Sequence, residues 1–302
     1  MHIYLPIAEM SVNLFVILGL GVLTGTLSGM FGIGGGFLMT PMLMFIGVPP
    51  SVSVATAANQ IIASSVSGFL AHWRRSNVDF KIGLYLLAGG VVGSTLGVGV
   101  FRWLKHIGHI DLIISLSYTT FLSIIGFIMA RESAYSVLKI ERKATRRKRY
   151  SLTERLPFKV EFPHSKLTIS ALLPLMVGFF VGIMVSLMGI GGGFFLIPAM
   201  IYLLRMPTAV VIGTSLFQII FITANVTFLQ AITTQTVDML LAALLISGSV
   251  FGAQLGTRLG AKMPGEYLRA MLAVIVLGMA IKLTLALVTP PADIYSVSIL
   301  DD

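Results

Sequence analysis

Long apolar stretches separated by short polar loops run along most of the chain. Uncharged runs of about 20 residues are long enough to cross a bilayer as helices. They predict spanning helices at residues 11–31, 51–73, 80–102, 111–131, 167–188, 207–232, 239–260 and 266–289. Two shorter apolar segments, Phe37 to Ile46 and Phe194 to Leu204, are predicted to be half-helices. The pattern therefore predicts an all-α polytopic membrane protein.

Each predicted half-helix follows the same glycine string. Residues 32–41 read GIGGGFLMTP, and residues 189–198 read GIGGGFFLIP. Adjacent glycines cost about 1 kcal/mol each inside a helix, so both strings are predicted to be helix breaks. Irregular backbone at membrane depth persists only where protein or a wet cavity satisfies it.

A helix that begins after such a break has free N–H groups and the positive end of its dipole at its start. Two such starts that face each other favour an anion site. The backbone donors predicted for this site belong to Gly34, Gly35, Gly36, Gly191, Gly192 and Gly193.

The two halves of the chain repeat each other beyond the glycine strings. The segment Ala55–Gln60 aligns with Gly213–Gln218, at nearly the same separation in sequence as the two glycine strings. The loops that end at Asp79 and Asp238 align as well, and both aspartates are predicted helix N-caps. We expect two copies of one unit. The predicted domains are an amino-terminal transmembrane repeat at 1–131, a basic linker at 132–166 and a carboxy-terminal transmembrane repeat at 167–302.

The sequence leaves two orientations of the copies open. Four full crossings per copy would make the copies parallel, whereas a first helix that pairs with its half-helix as a re-entrant hairpin would make them inverted. Inversion places Arg74, Arg205, Arg258 and the basic block from Arg131 to Lys166 together in the cytoplasm. Since cytoplasmic loops are enriched in lysine and arginine, we favour inverted copies.

Composition supports a membrane protein and removes several kinds of chemistry. The chain is 56% hydrophobic and 11% charged, against about 25% charged residues in soluble domains. The absence of cysteine excludes disulfides and thiolate sites. No Lys or Arg precedes Arg74, so we expect no cleavable signal peptide of the usual form.

The basic linker accounts for much of the net charge of +9. We expect it to face the cytoplasm and to lie on anionic lipid, and we expect no binding of nucleic acid. Lys282 is the one cation deep in an apolar span. We expect it to reach the outer interface along its own stem, and the alternative is an anion-attracting group at the outer vestibule.

Polar residues within the predicted spans form stripes that face the interior of the bundle. We interpret them as ligands that hold an anion beside the glycine N–H groups. The alternative is hydrogen bonding between helices, which we favour for Ser67 and Asn225. The predicted side-chain ligands are Thr56, Asn59, Gln60, Thr214, Ser215 and Gln218. No Asp or Glu occurs in a central span, so we expect no carboxylate proton relay.

Taken together, the paired GIGGG-x4-P strings, the [AG]-T-[AS] segments ending in Gln60 and Gln218, and the loop from Arg74 to Asp79 resemble the sulfite exporter TauE/SafE family of bacterial and plant membrane transporters. The resemblance covers both repeats. It implies a multi-pass protein of the bacterial inner membrane that exports sulfite, sulfoacetate or related organosulfonates.

Three alternatives remain open at this stage. One is transport of another small anion, in or out, and a second is a scaffold that recruits partners through the linker. An intramembrane enzyme is least favoured, because the spans lack paired carboxylates, clustered histidines and an HExxH string. We expect no cofactor and no metal, and the sequence leaves the oligomeric state open.

Overall fold

A computed structural model describes residues 2–31, 36–74, 76–137, 159–162, 165, 167–204, 206, 208–260 and 265–289. The helices are α1 (Leu14–Phe31), α2 (Gly36–Phe45), α3 (Pro50–Arg74), α4 (Phe80–Ile107), α5 (Ile110–Val137), α6 (Leu172–Met188), α7 (Gly193–Pro198), α8 (Thr208–Thr233), α9 (Met239–Gly260) and α10 (Gly265–Val288). A π-helical segment, Ala199–Leu203, continues α7.

Within this described part, six helices are long and apolar enough to cross a membrane: α3, α4, α5, α8, α9 and α10. The prediction of a helical, multi-pass membrane protein is confirmed at this level. Helices α1, α2 and α6 are apolar, but their stretches within the described residues are shorter, so the full spans expected at 11–31 and 167–188 stay predictions. The predicted lipid contact of the basic linker falls mainly on residues 138–158, which lie outside the described residues.

Two short antiparallel β-hairpins precede α1 and α6, and their second strands occupy the first residues of the helices predicted at 11–31 and 167–188. Strands β1 (His2–Leu5) and β2 (Met10–Asn13) form the first hairpin, and β3 (Lys159–Phe162) and β4 (Leu167–Ser170) form the second. Each strand has a buried apolar side chain, and these residues are Leu5, Val12, Phe162 and Ile169. The prediction was wrong at the second strands because β2 and β4 run directly into apolar helices, so the joint apolar run does not show where the strand ends.

Glycines allow two helix pairs to pack closely. A Cβ added at Gly89 would lie 1.9 Å from the Leu175 carbonyl oxygen, and one added at Gly93 would lie 2.0 Å from the Phe179 carbonyl oxygen, so α4 and α6 run in parallel. Similarly, α1 and α9 run in parallel, because Gly252 and Gly256 meet Val22 and Thr26 in the same order. Small residues at this spacing let the backbones of both helix pairs approach closely.

Replacing Gly93 with valine is expected to force α4 and α6 apart and to lower the stability by about 3 kcal/mol, because the new side chain would overlap backbone rather than a movable side chain. Gly99 provides a matched control on the same helix, since a Cβ there meets nothing within 4 Å. Thermal unfolding in detergent, followed by size-exclusion chromatography, measures both variants. Equal stability of Gly93→Val and Gly99→Val would contradict the close packing.

Helix directions follow from bonds at the two ends of α4. At its start, the Asp79 backbone N–H donates to Thr214 Oγ1 near the start of α8, at 2.9 Å. At its end, Lys105 Nζ donates to the Thr234 carbonyl just before α9, at 2.6 Å. Consequently α8 runs parallel to α4, and α9 runs in the opposite direction. Helix α6 is parallel to α4, and α1 is parallel to α9. Therefore α1 and α6 also run in opposite directions.

The start of α4 and the start of α9 define two opposite ends of the bundle, which we call the Asp79 end and the Asp238 end. Ser165, in the hairpin before α6, donates to Asp79, and the first turns of α8 also lie at Asp79. The segment from α6 to α8 therefore leaves the Asp79 end and returns to it. In the same way, Ile7 before α1 and Thr56 in α3 both contact Asp238. The segment from α1 to α3 leaves and returns to the Asp238 end.

Candidate functional site

The second glycine string interrupts the helix, as predicted. Helix α6 ends at Met188, and Gly189 caps it in the left-handed region with a φ of +63°. Gly191 and Gly192 both have a φ of +74° before α7 begins. A residue with a Cβ adopts this conformation only at a cost, so the glycines permit the break between α6 and α7.

The first string lies between two described helices. Helix α1 ends at Phe31, and α2 begins at Gly36. The residues between them, including the predicted donors Gly34 and Gly35, lie outside the described residues, so their roles stay predictions.

The helix starts that follow the two strings lie together inside the bundle. A Cβ added at Gly36 would lie 3.3 Å from the Gly189 carbonyl oxygen. The rings of Phe37 and Phe194, the next residues in α2 and α7, have centroids 4.9 Å apart, and both are buried. Because the first N–H groups of a helix have no partner within it, both starts carry backbone donors into one buried region.

An isoleucine fills part of this region. Ile61 of α3 is 1% exposed, and its Cδ1 would lie 2.1 Å from a Cβ added at Gly36. Its Cγ2 would lie 2.7 Å from a Cβ added at Gly191. Ile61 therefore lies between Gly36 and Gly191, beside the point where Gly36 approaches Gly189.

The predicted ligands Thr56 and Thr214 are fully buried and hold other helices. The Thr56 hydroxyl oxygen accepts the Asp238 N–H at 3.1 Å, and the Thr214 hydroxyl oxygen accepts the Asp79 N–H at 2.9 Å. Each threonine thus bonds the half of the chain to which it does not belong. The alternative of hydrogen bonding between helices describes both contacts.

Three further predicted side chains also have partners within the bundle. Ser215 Oγ donates to the Ile212 carbonyl at 2.9 Å, and Asn59 Nδ2 donates to the Ala55 carbonyl at 3.5 Å. Gln218 Nε2 donates to the Leu86 carbonyl of α4 at 3.2 Å. Its donor is thus directed at α4, and no described residue partners its buried Oε1. An amide oxygen offers no donor to an anion, so the role of Gln218 as a ligand stays a prediction.

Gln60 and Asn225 complete the polar stripes. Gln60 is 1% exposed, and no described residue partners its buried Oε1. Asn225 Nδ2 donates to the hydroxyl oxygens of Ser94 at 2.9 Å and Thr95 at 3.2 Å, which is the helix-to-helix bonding favoured for it. Ser67, also in that group, has a side chain outside the described part.

Two aspartates form buried anchors that the sequence analysis recognised only as helix caps. The Ile82 N–H donates to Asp79 Oδ1 at 3.1 Å, and the Leu241 N–H donates to Asp238 Oδ1 at 3.0 Å, which confirms both predicted N-caps. Both carboxylates are at most 2% exposed. Their burial depends on hairpins that the sequence analysis did not predict.

The second carboxylate oxygen of each aspartate holds the hairpin of the other half of the chain. Asp79 Oδ2 accepts the Ser165 N–H at 3.1 Å and the Ser165 hydroxyl at 2.5 Å. Asp238 Oδ2 accepts the Ile7 N–H at 3.2 Å. The bonds are thus reciprocal, and each end of the bundle is fastened by one carboxylate.

Tyr118 and Lys282 also bear on the site. Tyr118, which the sequence analysis missed, is fully buried in α5, and its hydroxyl donates to the Met188 carbonyl directly before the second break. The sequence around a lone tyrosine in an apolar span does not distinguish this role from packing.

Lys282 Nζ lies 4.1 Å from the ring centroid of Phe45, so its charge lies over an aromatic face at the end of α2.

Comparison with known proteins covers nearly the whole chain. The family model described as Sulfite exporter TauE/SafE matches residues 17–283. The probable membrane transporter protein YjnA of Bacillus subtilis is 30% identical over 277 residues, which are 91% of this chain and 100% of that protein. YunE of the same organism, also a probable membrane transporter protein, is 30% identical over 82% of this chain and 89% of its own length. No solved structure matches the chain.

Proposed function

This chain belongs to the sulfite exporter TauE/SafE family and is a membrane transporter of that type, and we propose that it exports small sulfur-containing anions such as sulfite or organosulfonates. The observation that carries the proposal is the meeting of two helix starts at Gly36 and Gly189–Gly193. The membrane proposed for it is the bacterial inner membrane.

Backbone N–H groups are the proposed anion ligands. An anion that leaves water needs donors in place of its hydration shell, since an isolated buried charge is very costly. The start of a helix offers several N–H groups and the positive end of a dipole. It brings no full positive charge, which would bind the anion too tightly for release. Helices α2 and α7 both start in the buried region, so the three oxygens of a sulfite or sulfonate group could be shared between them.

We further propose that the copies are inverted, with re-entrant pairs formed by α1 with α2 and by α6 with α7. Each pair starts and ends at one end of the bundle, and the two pairs use opposite ends. Three helices long enough to span follow each pair, so each copy crosses an odd number of times. Ser76 and Gln235, three residues before the two aspartates, both have a positive φ, +55° and +49°, which supports equivalent loops.

Outward movement of an anion needs no coupling ion in this arrangement. An inside-negative potential favours its exit by about 2.3 kcal/mol per charge per 100 mV. Inverted copies supply two related conformations, one open to each side. We propose that the paired helix starts are the site to which both conformations give access.

A different small oxyanion is the second candidate substrate. Backbone N–H groups do not distinguish sulfur from other central atoms. The paired helix starts would therefore also bind another small oxyanion. The size of the space between the glycine segments would then select among solutes.

Flux into proteoliposomes tests the proposal. We expect purified protein to carry labelled sulfite or sulfoacetate down its gradient, and an imposed potential to accelerate movement toward the positive side. Liposomes without protein and liposomes with Gly93→Val protein are the controls. Flux of neither solute, with the protein folded and inserted, would contradict the proposed substrate class.

A further inference from the structure

We infer that Ile61 is the gate of the transport site and sets the largest solute that passes between the two glycine segments. This inference rests on the proposed function and names the residue of that site that controls access and size. Neither the family assignment nor the glycine strings singles out Ile61.

Contacts on both sides place Ile61 between the two breaks. Its Cδ1 would lie 2.1 Å from a Cβ added at Gly36 and 3.1 Å from one added at Gly191. Ile61 therefore occupies the space that a Cβ at either glycine would need. Among the described residues, the next atom after Ile61 that such a Cβ at Gly36 would meet is the Gly189 carbonyl oxygen, at 3.3 Å.

The chemistry of the side chain makes it an obstacle rather than a ligand. Ile61 is 1% exposed and wholly apolar, so an anion that replaces water with backbone donors cannot share the region with it. Passage therefore requires the side chain to leave the space between Gly36 and Gly191.

Helix α3 provides a means of moving it. Ile61 lies on the same helix as Thr56, whose hydroxyl oxygen accepts the Asp238 N–H at 3.1 Å. Gly36 and Gly191, in contrast, belong to the short segments that return to their own ends of the bundle. Relative motion of α3 and these segments would withdraw Ile61 from both glycines at once.

Ile222 is a matched control residue. It is also 1% exposed, and its Cδ1 would lie 2.1 Å from a Cβ added at Gly90. It thus has the same side chain, burial and kind of glycine contact as Ile61, but its contact is with Gly90 of α4, which belongs to neither glycine string.

Cysteine modification tests access without assuming a substrate. The chain contains no cysteine, so Ile61→Cys and Ile222→Cys each introduce one thiol. The probe is sulfonatoethyl methanethiosulfonate, a small anionic thiol reagent, applied to the full-length protein in membrane vesicles. We expect I61C to react more than about tenfold faster than I222C, because only the gate opens to water during the transport cycle. Equal rates would overturn the inference.

Protection by sulfoacetate separates this inference from the proposed function. Slower modification of I61C in the presence of sulfoacetate supports both. Rapid modification that sulfoacetate leaves unchanged supports the gate and contradicts sulfoacetate as a substrate.

The ratio of sulfoacetate flux to sulfite flux tests the control of size. We expect Ile61→Ala to raise this ratio by about tenfold, since one missing methylene group already changes selectivity by that order. Ile61→Phe should lower both fluxes. Ile222→Ala should leave the ratio unchanged, and a ratio that responds equally to Ile61→Ala and Ile222→Ala would overturn the size control.

Discussion

Replacement of Gly192 with valine is expected to lower anion flux by at least about 100-fold, because a displacement of 1 Å in a positioned site costs that order. Gly192 has a φ of +74°, and a Cβ there would lie 2.8 Å from Val181 Cγ1 and 2.9 Å from Val185 Cγ2. A β-branched residue at this φ costs roughly 1–3 kcal/mol in strain. The start of α7 would have to shift to relieve it, and the donors would leave their positions.

A glycine in open surroundings is the matched control. A Cβ added at Gly278 in α10 meets nothing within 4 Å, so Gly278→Val should retain flux. Size-exclusion chromatography must show that Gly192→Val remains folded. Gly35→Val is expected to match it, as the equivalent change in the first string. Unchanged flux in both string variants would defeat the account of the breaks as an anion site.

The second large effect expected is a loss of stability when either aspartate anchor is removed. Asp79→Ala and Asp238→Ala should each lower the stability by about 3 kcal/mol, since hydrogen bonds to a charged group contribute about 1.5–3 kcal/mol each and N-caps about 1 kcal/mol. Each change also releases the hairpin of the opposite half of the chain. We expect the larger loss for Asp79→Ala, because Asp79 accepts two bonds from Ser165, whereas Asp238 accepts one from Ile7.

Asp111 provides the comparison for these variants. Its carboxylate accepts the Ser51 N–H at 2.9 Å, and the residue is only partly buried. Asp111→Ala should therefore cost about 1 kcal/mol. Thermal unfolding in detergent ranks the three proteins, and losses at Asp79 and Asp238 no greater than at Asp111 would refute the anchoring role.

The helices could be predicted because their signal is local. An uncharged run has to reach a minimum length to cross a bilayer, and the predicted limits of α3 and α9 lie within one residue of those observed. The hairpins could not be predicted in this way. Strand β2 pairs with residues on the far side of a turn, and its apolar residues merge with α1 in the sequence.

The glycine strings carried most of what the sequence shows about the site. Positive φ values at Gly189, Gly191 and Gly192 are a backbone property that only glycine adopts readily, so the break could be predicted. The polar stripes were less informative. A buried threonine that bonds another helix and one that binds a ligand have the same sequence pattern, and the partners of Thr56 and Thr214 lie far away in the chain. Their role in substrate binding stays a prediction.

The position of Ile61 could not be derived from its own neighbourhood. It is one of many isoleucines in apolar helices, and its importance follows from contacts with Gly36 and Gly191, which lie far from it in sequence. Contacts of this kind depend on tertiary packing, and no periodicity in the chain indicates them.

The location of a bound anion tests the central claim most directly. Selenite, the selenium analogue of sulfite, can be located by anomalous diffraction from crystals of the protein. Our account predicts a selenium peak between Gly36 and Gly191–Gly193, within hydrogen-bonding distance of backbone N–H groups of α2 and α7. A peak elsewhere in a protein that carries sulfite would contradict it.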